Sequence, residues 1–71
     1  MATLREVFVP VLMATDESCP GDHNLADLRR LSCSETRMEA VAALARAIEA
    51  GAAANPQLRY GGRIETVFLP A

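Results

Sequence analysis

Apolar positions along the chain fall into runs of two different periods. From Glu6 to Ala14, Val7, Val9, Val11 and Met13 share one parity while Phe8, Pro10 and Leu12 share the other. A β-branched run of this kind predicts a strand over about residues 5–13, apolar on both faces. Pro10 has no N–H to give to a ladder, which predicts a sheet edge or a bulge at the middle of that strand. The stretch Thr15 to Asn24 is polar and acidic and predicts a loop, with Cys19-Pro20-Gly21-Asp22 fitting a type II turn.

Helical spacing takes over after the loop. Leu25, Leu28 and Leu31 recur every third residue behind caps at Asp22 or Asn24, which suits a short helix; residues 27–33 read almost equally well as a second strand. The strongest signal runs from Ser34 to Gly51. There Met38, Val41, Ala45, Ile48 and Ala52, joined by Leu44, form one stripe, with Glu35, Glu39, Arg46 and Glu49 off it. This predicts an amphipathic helix over about 35–52 that turns the stripe to the core. Ser32 with Glu35 and Thr36 with Glu39 both match a capping box, and Asn55-Pro56 stops the helix, because a residue before proline is disfavoured in helical conformation. At 1.5 Å per residue such a helix is about 25 Å long, enough to cross a small sheet.

Beyond it, residues 57–60 and 63–69 flank Gly61-Gly62, a dipeptide that permits the positive φ values of a type I′ turn. A C-terminal hairpin is the expectation, with Ile64, Thr66 and Phe68 on one face of its last strand and Arg63, Glu65, Val67 and Leu69 on the other. The fold class predicted is therefore α+β: one small domain over residues 1–71, a mostly antiparallel sheet packed on one main helix. One helix covers one sheet face only. The second face is left to the Leu25, Leu28, Leu31 segment folding beneath it, to a second copy of the chain in a homodimer, or to a partner protein.

Composition sharpens this picture in three ways. A chain of 71 residues buries only about 60% of the surface that its unfolded state exposes, so its core is thin. All seven basic residues are arginine, thirteen residues are alanine, and the formal net charge is -2. Residues 1–28 carry one Arg against five acids, whereas residues 29–71 carry six Arg against four. A net acidic chain without a basic stripe argues against direct nucleic-acid binding, since phosphate affinity comes from Lys and Arg. No apolar run approaches the roughly 20 residues of a membrane span, and no leader pattern opens the chain, so a cytoplasmic protein without membrane contact is expected.

Candidate chemistry is sparse. Cys19, His23 and Cys33 are good metal ligands around one loop, but they number three and lack the paired short spacings of a structural zinc site. A small metal or redox module built on them remains an alternative, as does a disulfide between Cys19 and Cys33 in an oxidising compartment. Cys19 and His23 are also four residues apart, yet their acidic surroundings raise a thiol pKa rather than lower it. Gly61-Gly62 lacks the third glycine of a phosphate cradle, and Asp16 and Asp22 do not keep calcium-loop spacing. No nucleophile, base and oxyanion set assembles from one His and one Tyr.

The expectation is accordingly a non-enzymatic module without cofactor that binds a protein partner. Its candidate surface combines apolar Phe8, Leu12 and Phe68 with the acidic residues Asp16, Glu17, Asp22 and Asp27. Carboxylates presented in this way suit a basic groove, such as that of a nucleic-acid-binding protein. In size and charge the chain resembles the small acidic inhibitors of phages and other mobile elements, among them many anti-CRISPR proteins, although no motif matches one such family.

Overall fold

The computed structural model describes residues 3–16 and 25–70. In chain order the elements are β1 (Leu4–Thr15), β2 (Leu25–Arg30), α1 (Arg37–Ala54) and β3 (Arg59–Pro70). The strands form one antiparallel sheet in the order β2-β1-β3, with α1 packed on it, an α+β fold. The turn expected at residues 19–22 lies outside the described residues.

Pro10 sits in the central strand, not at an edge. Phe8 exchanges both backbone bonds with Ser34, at 2.9 and 2.7 Å. Even-numbered residues of β1 therefore turn their backbone groups toward β2, since bonding direction alternates along an antiparallel strand. Pro10 belongs to that set. Its carbonyl accepts from the Leu31 N–H at 2.9 Å, and the return bond is the one a proline cannot make. The irregularity foreseen at the middle of β1 falls on its neighbour: from Leu31 to Ser34 the facing chain advances three residues while β1 passes two, from Pro10 to Phe8. On the other side, pairing with β3 runs unbroken from Leu4↔Pro70 to Thr15↔Arg59.

That unbroken pairing overturns the C-terminal hairpin. Residues 57–60 and 63–69 belong to one strand, β3, and Gly61 and Gly62 lie within it opposite Met13 and Leu12, neither at positive φ. A two-residue turn would have left half of β1 without a partner, whereas the continuous strand pairs all of it. The segment from Leu25 also resolves to a strand, bulged where its register against β1 shifts between Ala14 and Thr15. Because Leu25 and Leu28 lie within the sheet, they do not fold beneath it as a cover.

Helix α1 begins at Thr36, whose extended backbone (φ -125°, ψ 153°) and hydroxyl, accepting from the Glu39 N–H at 3.2 Å, form the N-cap. It ends at Asn55, whose N–H bonds the Gly51 carbonyl at 2.8 Å just before Pro56. The helix packs on β1 and β3 in near-equal measure. Its buried residues are Ala40 and Leu44, with Ala43, Ala47, Ile48 and Gly51 half-buried beside them. The stripe expected to face the core is thus turned aside: Met38 and Val41 are 83% and 50% exposed, and Ala45 and Ala52 are exposed as well. Small residues let the helix come close to the sheet, and one leucine enters the gap left by a glycine. A Cβ at Gly62 would lie 2.7 Å from the Leu44 Cδ1, and one at Gly51 would lie 2.5 Å from the Tyr60 ring.

These contacts also fix which face is covered. Leu12 and the position a Cβ would take at Gly62 share a face, as do the side chains of Ala14 and Tyr60, so even-numbered residues of β1 and β3 look toward the helix. Pro10, Leu12 and Ala14 are buried there with Ala40 and Leu44. The helix is shorter than the strands. Eighteen residues span about 27 Å, against about 40 Å for twelve residues of strand. With Gly51 over Tyr60, the far end of the sheet projects past the helix, leaving Leu4 and Phe68 exposed.

Candidate interaction surface

The face opposite the helix carries Val7, Val9, Val11 and Met13 from β1, flanked by Leu28 and Arg30 of β2 and by Arg63, Glu65, Val67 and Leu69 of β3. No described element forms a second layer over it. Even so, Val7 and Val11 are 1% and 0% exposed. Register explains how. Arg30 stands beside Val11 on one outer strand and Glu65 beside Val9 on the other, yet the Arg30 Nε and Glu65 Oε1 are 3.1 Å apart. Outer strands lie about 9.6 Å from each other, so the two side chains must reach across β1 to meet. Their aliphatic stems lie along the valines while the charged heads remain in water. Arg63 joins Glu65 at 3.8 Å, and Arg5 pairs with Glu35 at 3.1 Å near the other end.

The outcome is an apolar strip with a charged rim. Leu28 and Val67 are exposed, and Val9, Met13 and Leu69 are half-buried. Of these, Val67 shares a parity with Arg63, Glu65 and Leu69, so the alternation of β3 already marked its face. Leu28 escaped notice because its spacing to Leu25 and Leu31 suited a helix.

The residues singled out from the sequence do not converge on one surface. Leu12 is buried beneath the helix and is withdrawn as a contact residue, since the face it occupies is the covered one. Phe8 is half-buried, and Phe68 is 59% exposed on the same side but beyond the helix. Asp27 is exposed and pairs with Arg29 at 3.5 Å. Asp16 is half-buried and engaged. Glu17 and Asp22 lie outside the described residues, as do Cys19 and His23. Cys33 is an exposed free thiol.

Among the described residues there is no enclosed pocket and no cluster of three metal-ligating side chains. No helix is long and apolar enough to cross a membrane. What the described surface presents is a flat face, an uncovered end and a strand edge. No protein-family model, no curated protein and no solved structure matches the chain.

Proposed function

We propose that this chain is a non-enzymatic protein-interaction module that binds and blocks a partner protein. The observation that carries the reading is the open sheet face: Leu28, Val67, Val9 and Met13 exposed or half-buried, framed by Arg30, Glu65, Arg63 and the Arg5–Glu35 pair. An apolar centre within a polar rim is the anatomy of protein interfaces. In a finer form the partner is a nucleic-acid-handling protein whose basic site receives the acidic segment, in the manner of the small acidic inhibitors of mobile elements. The charge asymmetry of the chain and the exposed carboxylate of Asp27 beside that segment support this form.

Affinity capture from host lysate with wild-type protein and two variants tests both levels. Val67→Asp places a charge in the apolar strip and should abolish capture while leaving the melting temperature near that of wild type. A triple neutralisation, Glu17→Gln, Asp22→Asn and Asp27→Asn, should weaken capture and reduce its salt dependence; Asp16 stays native because it is engaged. Capture of nothing by wild type defeats the reading. Undiminished capture by the triple variant defeats only its finer form.

A further inference from the structure

The two edges of the sheet are built differently. β2 is six residues long, bulged, and carries Asp27, Arg29 and Arg30, which are the devices that keep an edge from pairing. β3 is twelve residues long and regular, and no described strand pairs with its outer side. Its odd-numbered residues bond inward to β1, because the odd residues of β1 are those that turn away from β2. The N–H and C=O groups of Tyr60, Gly62, Ile64, Thr66 and Phe68 therefore point outward, unpaired by any described strand.

The exposed helix stripe overhangs this same edge. Leu44 and Gly51 rest on Gly62 and Tyr60 of β3, and the Asn55 Nδ2 donates to the Tyr60 hydroxyl at 3.1 Å. Continuing round the helix in that sense, at 100° per residue, Arg37 of the first turn comes next, followed by Ile48, Val41, Ala52, Ala45 and Met38. Along the chain the apolar positions are spaced three, four, three and four residues apart, the spacing of a helix-packing seam. An apolar seam thus lies above an open strand edge.

We infer that the chain forms a two-fold homodimer in which β3 pairs antiparallel with β3 of a second copy and the two α1 helices pack side by side above the junction. Distances agree. With α1 astride β1 and β3, joining the edges at the ordinary spacing of about 4.8 Å sets the helix axes about 9.6 Å apart, inside the 8–10 Å range for packed helices. Volumes agree too: with the axis at Ala45, Met38 faces Ala52 of the second copy and Val41 faces Ile48. The free chain is also short of a neighbour. Its radius of gyration is 14.5 Å and its extents 51 × 24 × 12 Å, where about 11 Å is ordinary for a compact chain of this length.

Sedimentation equilibrium of the full chain, with circular dichroism as a check on folding, tests this. Wild type at about 100 µM should have twice the 7.6 kDa chain mass, since interfaces of standard size hold at micromolar concentrations or tighter. Ala45→Glu in the seam and Thr66→Pro, which removes an outward N–H, should each weaken dimerisation at least tenfold while remaining folded. Ala50→Glu, exposed on the opposite flank of the helix, should leave it unchanged. A monomeric wild type overturns the inference, and so does a dimer that Val67→Asp disperses while Ala45→Glu and Thr66→Pro do not. The partner-binding reading is independent: a monomer that still captures a partner defeats only the dimer.

Discussion

On the helix side of β1, Pro10, Leu12 and Ala14 are shielded by a second layer of structure, whose alanines allow close approach and whose Leu44 fits over Gly62. On the opposite side Val11 is equally buried, yet there Arg30 and Glu65, from the strands on either side of β1, meet across it at 3.1 Å. The first kind of cover is rigid and sequence-specific in volume. The second is made of exposed ion pairs that salt weakens. A strand with bulky apolar groups on both faces therefore does not require two layers; β-branched residues lie low enough for arginine stems to shield them.

Substitutions on the two faces should separate these mechanisms. The largest loss is expected from Leu44→Ala, which truncates the largest buried side chain of the helix and should cost about 2–5 kcal/mol in chemical denaturation. In so small a domain that removes much of the total stability. Next comes a pair of neighbouring residues. Gly62→Ala drives a methyl into Leu44 and the backbone of Val11 and should destabilise by about 1–3 kcal/mol. Gly61→Ala, pointing into open space, should stabilise by about 0.5–1 kcal/mol by restricting the unfolded chain. Equal effects at the two positions would mean that the faces are not distinguished as described. The smallest effect belongs to Glu65→Gln, which removes the negative charge shared by Arg30 and Arg63. A loss of at most about 1 kcal/mol is expected, shrinking as salt is raised.

Much of this arrangement could be read from the residues, and the failures have physical causes. The first strand and the helix were legible because their periodicities are strong and Thr36 and Asn55-Pro56 mark the helix ends. Gly61-Gly62 misled because the same dipeptide serves a hairpin turn and a close helix contact, and the choice between them is made by a partner strand some fifty residues earlier. The orientation of the helix misled because alanine lies on nearly all of its sides. Choosing the largest side chains as the buried ones then selects Met38 and Val41, whereas close packing selects Ala40 and the single residue with a glycine to receive it. Leu12 was misplaced for a related reason, since alternation separates the two faces of a strand without saying which of them the helix covers.

The most direct test of an uncovered sheet face is solvent paramagnetic relaxation of methyl resonances with a soluble gadolinium probe. Leu28 and Val67 should broaden strongly, while Leu12, Leu44 and Val11 remain sharp. Protection of Leu28 and Val67 equal to that of Leu12 would show that the face is already covered and would contradict the account.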